Sequence, residues 1–540
     1  MKFLAIALLL SASVLAGILP SAEFANAQTV RTTPTPTPKI MAIPAPTSVL
    51  APTPTPAPTP TLADLQSKIR AKTFDSTIRR GRIGIKVTSL ATGKVVFEND
   101  ADKYFMPASN MKNFTVATAI EKLSPDYRFA TTISTSAMPD SSGTLKGDLK
   151  ITGSGDISMS TSFDPDFPNK IDHYKYIDMI VEKVAAAGIK KIDGNIIGDE
   201  SYFRGFALPE GWEWDDLHTY YGTEVSALPL NDNVVDITVR PGTSGGQCVV
   251  SVSPATSLVK FVNKCTTGSG NNVSITKAIN QNLFEINGSM PVNGKSVVQT
   301  LAFSHVAELF VDVLKQRLAM KGIVVTGLAK TIASKAELMC PTCTSVMWTN
   351  IGKLDSPPLS LVAAKTMKPS QNMYTEVLLW TLGEQVGRKN NGSGTSAGLG
   401  TNVVKQFMRE IGVADDGIVQ YDGSGLSRHN LITPSAVVSL YEYMAKRSRY
   451  SLAWRNSLTI GGVDGTLRNR FKGTRAEANM RGKTGTIDQV SALSGYVRTA
   501  TGEELVVSIV VNGVPGGAGI RTRVIDEIVV SLADYNGRID

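Results

Sequence analysis

The sequence predicts a mixed α/β protein. An antiparallel sheet flanked by helices is assembled from both ends of the chain, and β-rich domains are looped out of the middle. Three observations lead there. Near the start, residues 82–90 and 95–98 read as strands joined by the turn Ala91-Thr92-Gly93-Lys94, with a helical pattern after them. Near the end, residues 491–498 and 505–512 read as strands around Ala500-Thr501-Gly502, closed by a helix over 520–535. Between them, past Pro125, the chain turns to short strands broken by Gly and Ser turns.

The chain has 540 residues, enough for two or three domains with ample core. Its apolar fraction of 42% and charged fraction of 19% are those of a globular enzyme. The net charge is +8, yet no Lys/Arg run or basic-aromatic stripe accompanies it. Nucleic acid is therefore not an expected partner, and the excess reads as a mildly basic solvated surface.

The elements follow in order. Lys2, an apolar run over 3–19, Pro20 and the small-x-small site Ala25-Asn26-Ala27 form a secretory signal peptide, residues 1–27, cut after Ala27. No cysteine follows the run, so lipid modification is not expected. No later stretch is long and apolar enough to span a membrane. The mature protein is expected outside the cytoplasmic membrane, in the periplasm or extracytoplasmic envelope. Residues 28–61 are a Pro/Thr-rich tether, because Pro-Thr repeats cannot bury a core and stay extended.

A helix containing Ile69 opens the folded part near residue 62. Residues 62–128 and 339–540 are expected to form one discontinuous catalytic domain, and 129–338 a β-rich insertion of two nested domains. Within the insertion, helices are expected over 174–187 and 306–321, and strands over 234–240, 248–252 and 282–287. Helices over 360–368, 372–387 and 400–411, and one after Pro434, lead back to the closing strands. Four cysteines, Cys248, Cys265, Cys340 and Cys343, fit an oxidising compartment. They allow three pairings, of which the nearest-neighbour one joins Cys248 to Cys265 and Cys340 to Cys343. A structural disulfide is favoured over a redox centre at Cys340-Pro341-Thr342-Cys343, and export with uneven spacing argues against zinc.

The chemistry centres on Ala108-Ser109-Asn110-Met111-Lys112, at the head of a helix. Ser and Lys three apart share a helix face, so a hydroxyl and an amine come within hydrogen-bond reach. A lysine kept neutral by burial or neighbouring cations can take the serine proton, and backbone N–H groups at the helix start can hold an oxyanion. Ser-x-x-Lys alone is weak, since Ser257/Lys260 and Ser274/Lys277 repeat it. Ser370-x-Asn372 is weak too, since Ser269-Gly270-Asn271 matches it. Lys483-Thr484-Gly485 occurs once, ahead of strand, turn, strand and helix. The four histidines have no Gly-x-Ser-x-Gly elbow to serve, so a Ser-His-Asp triad is not expected.

These three patterns, in this order, form the set of penicillin-binding proteins and class A β-lactamases. Lys483 would supply positive charge for a substrate carboxylate, and Thr484 a hydrogen bond to it. Gly485 lets the substrate lie beside the strand as an extra strand. The N–H of Thr486 would complete an oxyanion hole with that of Ser109. Ser370 would relay a proton to the leaving amine, and Asn372 would hold the substrate amide and contact Lys112.

Further stretches narrow the likeness: residues 151–156, 208–217, 230–235, 422–428 and 462–467. From about residue 62 to the end, the chain resembles the D-alanyl-D-alanine carboxypeptidase/endopeptidase family, the low-molecular-mass class C penicillin-binding proteins of the penicillin-binding protein 4 type. The long gap between Ser109 and Ser370 suits that family, whose members carry extra domains there. The resemblance implies a penicilloyl-serine-transferase core of β-lactamase/DD-peptidase type, acting without metal or organic cofactor. Its partners would be peptidoglycan stem peptides and cross-links, and β-lactams would acylate Ser109. It further implies Asp156 as the acid that binds the substrate side chain, with Arg428 as its partner in the cleft. The family often has Gly-Asp-Pro where this chain has Gly155-Asp156-Ile157. A β-lactamase is the rival enzyme reading, opposed by the insertion. A slow peptidoglycan-binding or sensor protein is the non-enzymatic rival, opposed by the intact Ser109, Lys112 and Lys483.

Overall fold

Strands from opposite ends of the sequence lie side by side. In this computed structural model, which describes residues 59–333 and 347–539, Arg82–Ser89 pairs antiparallel with Glu504–Asn512 along its whole length, Ile85 opposite Ile509. Glu504–Asn512 pairs in turn with Val490–Arg498, and that strand with Arg481–Ile487. Val95–Asn99 and Thr459–Ile460 complete a six-stranded antiparallel sheet at its two edges. The expected α/β core is present. The signal peptide, nearly all of the tether and Cys340 with Cys343 lie outside the described residues.

The central strands are apolar on both faces because helices cover both. Leu505, Val507, Ile509 and Val511 pack with the helices Leu62–Thr73 and Ala518–Asp534. Val506 and Val510 face the opposite way, into the larger core of Lys112–Leu123, Leu359–Met367, Asn372–Leu382, Ser396–Glu410 and Pro434–Lys446. A strand buried twice reads as a continuous apolar run rather than an alternating one. The helix expected over 372–387 is α-helical only to Leu382. Gly383–Gly387 widens into a π turn where Gly383 lies against the Ser396 carbonyl.

The middle of the chain has its own core. A five-stranded sheet runs in the order Ala329–Ile332, Ile196–Asp199, Leu149–Thr152, Ala130–Thr135, Thr349–Asp355, against the helices Lys175–Ala186 and Val306–Met320. Thr349–Asp355 lies beyond residue 338, the expected end of the insertion, and pairs antiparallel with Ala130–Thr135. That pairing carries the inserted layer to Asp355. Smaller sheets, one ordered Val297–Ala302, Val234–Arg240, Val249–Ser253 and one ordered Lys260–Asn263, Leu283–Asn287, Ser274–Lys277, fill the stretch between.

Cys248 and Cys265 are disulfide-bonded, 17 residues apart in sequence. Both are buried beside the small sheets. Closing a loop of this length restricts the unfolded chain by about 3 kcal/mol. Replacing both cysteines by alanine should therefore lower the urea midpoint of the inserted region. Peptide mass mapping without reductant should recover Cys248 and Cys265 joined.

Candidate active site

Ser109 does not sit on the α-helix itself. Ala108–Met111 form one turn of 3-10 helix, and the α-helix Lys112–Leu123 starts directly after it. In a 3-10 turn residues three apart eclipse one another, so Lys112 stacks over Ser109 more directly than an α-helix would allow. Lys112 Nζ lies 3.0 Å from Ser109 Oγ. The turn is strained: Ala108 has a φ of 47°. It is clamped by Gly425, whose φ is 86° and where a Cβ would lie 1.8 Å from the Ala108 carbonyl.

Lys112 is fully buried. Its amine donates to Asn372 Oδ1 at 2.6 Å and to the Ser424 carbonyl at 2.8 Å. Neither partner can return a proton, and the Asn372 amide is oriented by its Nδ2, which donates to the Tyr221 carbonyl at 3.0 Å. A neutral amine has two N–H bonds and one lone pair. Two directions are used on acceptors, so the lone pair is left for the one neighbour that can donate, the Ser109 hydroxyl. Burial pushes the Lys112 ammonium down to about 7, against the opposing pull of Asp422 and Glu376.

The strand Arg481–Ile487 runs beside this turn. Thr459–Ile460 pairs only with Arg481 and Gly482, so among the described residues the edge from Lys483 onward has no strand partner on that side. A peptide can add there. Gly485 permits the close approach, since a Cβ would lie 2.5 Å from the Pro107 carbonyl and 3.1 Å from the Asn110 nitrogen. Asn110 ties the two elements, donating from Nδ2 to the Lys483 carbonyl at 3.0 Å. Lys483 Nζ donates to Ser370 Oγ and to the Thr484 carbonyl, each at 2.8 Å. Burial, with Lys112 adding to it, holds the Lys483 ammonium well below the usual lysine range.

Ser109, Ser370, Asn372, Thr484, Thr486 and Arg428 line one cleft of about 770 Å³. Lys112 and Lys483 reach it through their hydrogen bonds. One wall is Glu213, Asp215, Asp216, Tyr220 and Tyr221, from a stretch between the inserted strands. Arg428 bridges that wall to the end of the Lys-Thr-Gly strand: Nε donates to Glu213 Oε2 at 3.1 Å and a terminal nitrogen to the Asp488 carbonyl at 3.2 Å. Asp156 is a correction. It does not line the cleft and does not meet Arg428. It is 3% exposed, and its Oδ1 accepts from Ser158 N and Oγ at 3.0 and 2.6 Å. The Gly155-Asp156 turn closes on itself, and the residue that meets Arg428 is Glu213.

Sequence reading passed over three parts of the site. Glu376 accepts the N–H groups of Gly423 and Ser424 at 2.9 and 2.7 Å. Asp422 accepts Trp212 Nε1 at 2.8 Å. Tyr221 orients Asn372. The signal for Glu376 was present: it is the one charge in the helix Asn372–Leu382, all of which is buried. The decoy pairs stay out of the site. Ser274 and Lys277 lie on a strand, where residues three apart point to opposite faces, and Lys277 bonds Ser304 instead. No histidine lines the cleft.

The model of the D-Ala-D-Ala carboxypeptidase 3 (S13) family matches residues 65–535. A D-alanyl-D-alanine carboxypeptidase of Actinomadura sp. (strain R39) is 31% identical over 494 residues, covering 88% of this chain and 86% of that protein. The D-alanyl-D-alanine carboxypeptidase DacB of Haemophilus influenzae is 23% identical over 443 residues, covering 81% of this chain and 86% of its own. The crystal structure of penicillin binding protein 4 (dacB) from Haemophilus influenzae superposes with a TM-score of 0.71 at 21% identity, covering 88% of this chain and all of that one. The fold is the same.

Gly485→Ala should lower the rate of acylation by a penicillin roughly 100-fold, because the added methyl displaces the strand from the Ser109 turn by a fraction of an ångström. The melting temperature should change by only a few degrees. Asp156 gives a pH test. Burial raises its carboxyl to about 6, with the Ser158 hydrogen bonds opposing. A carboxyl raised in the fold binds its proton more tightly there than in the unfolded chain. Its contribution to stability is full below about pH 4 and is lost as pH rises through 6. Asp156→Asn cannot titrate. It should gain about 2–3 kcal/mol relative to the wild type between pH 3.5 and 6.5 in denaturant titrations, with penicillin acylation retained.

Proposed function

Because this chain belongs to the D-Ala-D-Ala carboxypeptidase 3 (S13) family and is a serine-type carboxypeptidase, we propose that Ser109 is its nucleophile and Lys112 its base. The substrates are D-alanyl-D-alanine ends of peptidoglycan stem peptides and, as an endopeptidase activity, D-amino-acid cross-links. The observation that carries the assignment is the set of partners of Lys112 Nζ: two acceptors that cannot donate back, and the Ser109 hydroxyl 3.0 Å away, which accepts from the ammonium and can donate once the amine is neutral.

The substrate lies along the open edge of Arg481–Ile487 as an added strand. Its terminal carboxylate sits by Thr484 and Lys483, where its charge offsets the burial that drives the Lys483 proton off. Ser109 Oγ attacks the carbonyl carbon as its proton passes to Lys112, and the oxyanion is held by the N–H groups of Ser109 and Thr486. The leaving amine takes its proton through Ser370, which Lys483 orients at 2.8 Å. Water then releases the acyl group. Asn372 serves chiefly to fix Lys112, since its Nδ2 is held by Tyr221. A β-lactam presents a strained amide to the same machinery and stays on Ser109. The inserted wall with Glu213 and Arg428 meets the rest of the peptide. The site of action is the cell envelope. Among the described residues no helix is long and apolar enough to cross a membrane.

The test is labelling with a fluorescent penicillin, with the adduct mapped by mass spectrometry. Ser109→Ala should give no adduct while folding normally. Lys112→Ala should label at least about 1,000-fold more slowly. Lys483→Ala should retain slow labelling, since it orients the carboxylate and forms no bond. Muropeptides treated with wild type should lose the terminal D-alanine and their cross-links. An adduct on another residue would overturn the assignment, and rapid release of hydrolysed penicillin would favour a β-lactamase.

A further inference from the structure

Glu376 and Asp422 are buried carboxylates to which the reaction above gives no role. They sit behind Lys112, on the far side of the turn that contacts its amine. Ser424 is the link: its N–H donates to Glu376 at 2.7 Å and its carbonyl accepts from Lys112 at 2.8 Å. Both Glu376 oxygens accept backbone N–H groups. Asp422 Oδ1 accepts from Gly425 N and Asn430 Nδ2, each at 2.7 Å, and Oδ2 from Ser427 N and Trp212 Nε1 at 2.7 and 2.8 Å. Burial and the neighbouring Asp422 raise the Glu376 carboxyl, while the Gly423 N–H, Ser424 and the charge of Lys112 oppose that rise; oxygens so supplied with donors favour the ionised form.

We propose that Glu376 and Asp422 are the counter-charge to the ammonium that Lys112 becomes when it takes the Ser109 proton, acting through the turn Asp422-Gly423-Ser424-Gly425. They are positioning residues and touch no substrate. In the step they serve, the Ser109 Oγ–H bond breaks and its proton joins the Lys112 lone pair. Oγ bonds the carbonyl carbon, and the carbonyl π pair becomes the oxyanion. The charge created on Lys112 has no water to solvate it. The charged groups that face it are Lys483 from the strand, Glu376 from the helix and Asp422 from the turn. Lys483 opposes the new charge, so the two carboxylates must outweigh it. The same balance acts on the resting enzyme, where Asp422 and Glu376 hold the Lys112 proton against burial.

The inference rests on the reading of Ser109 as nucleophile and Lys112 as base, and the experiment separates the two. The rate of acylation by a fluorescent penicillin is measured against pH, with the adduct mapped each time. In the wild type the rate rises as Lys112 loses its proton. Glu376→Gln and Asp422→Asn keep the shape and remove one charge each. Each should move the midpoint of that rise to lower pH, by about half a unit or more, and lower the plateau about 10-fold. Glu376→Asp keeps the charge and should restore the midpoint, whatever its plateau. A folded Gln or Asn variant with a lower plateau and an unmoved midpoint would make the pair a mere brace and overturn the proposal, as would a variant unchanged in both. If one variant does not fold, the other carries the same test. In the wild type, Glu376 labelled with 13C should stay ionised across the rise, and a carboxyl that protonates there would also overturn it. An adduct away from Ser109 would instead strike the underlying assignment.

Discussion

Everything in the site converges on one buried nitrogen. Lys112 Nζ meets Ser109 from its own turn, Asn372 from 260 residues away and Ser424 from 312 residues away. A lysine amine enters an apolar interior only if its N–H bonds are all used and its charge is either lost or balanced. The helix Asn372–Leu382, the turn after Asp422 and the strand Arg481–Ile487 must therefore arrive together. The six-stranded sheet makes that possible by fixing Arg481–Ile487 two strands from Glu504–Asn512, which the N-terminal strand locks in place. Ser494 Oγ, from the strand between, donates to Asn110 Oδ1 at 2.6 Å and joins the sheet to the Ser109 turn.

The inserted layer does more than wall the cleft. Tyr221 holds Asn372, and Trp212 holds Asp422. A third contact comes from Asn231-Asp232-Asn233, three successive residues with positive φ. Such backbone is costly outside glycine, and it persists only where its surroundings over-determine it. Here Asp232 is half-buried and accepts from Tyr374 and, at 3.5 Å, from Gln371, the residue between Ser370 and Asn372. Ser370 itself has a φ of 69°. The turn in the insertion thus contacts the chain directly after Ser370. A chain that lost this layer would lose the orientation of Asn372 as well as a substrate wall.

Much of this was legible in the sequence because it follows short-range rules. The hairpin strands, the apolar runs over 505–511 and the Ser-x-x-Lys turn each carry a local signal, and the order of the motifs tied distant pieces together. What stayed hidden depends on partners far apart in sequence. The inserted layer runs to Asp355 because a late strand finds Ala130–Thr135, and no local pattern announces that pairing. Asp156 has a turn-former's sequence as much as a ligand's, and its carboxylate folds back on Ser158. Glu213 lies in the 208–217 stretch that carries the likeness, but nothing local marks it as the partner of Arg428, 215 residues away. Glu376 was visible as a lone charge in an apolar helix, a pattern that requires a buried partner without saying which.

The two lysines show how identical side chains acquire different work. Both are buried, and Lys112 weakens the hold of Lys483 on its proton. They differ in their neighbours. Lys112 has Glu376 and Asp422 behind it and two fixed acceptors, and on the proposed reading it loses a proton to become a base and regains one without unfolding its surroundings. Lys483 has the Ser370 hydroxyl, which lines the cleft, and the Thr484 carbonyl. Its missing counter-charge is external, and on the proposed reading it arrives as the substrate carboxylate. On that reading a ligand without the carboxylate would leave Lys483 uncompensated, and selectivity for a free terminal carboxylate would follow from the count of buried charges before any contact to the peptide side chain is made.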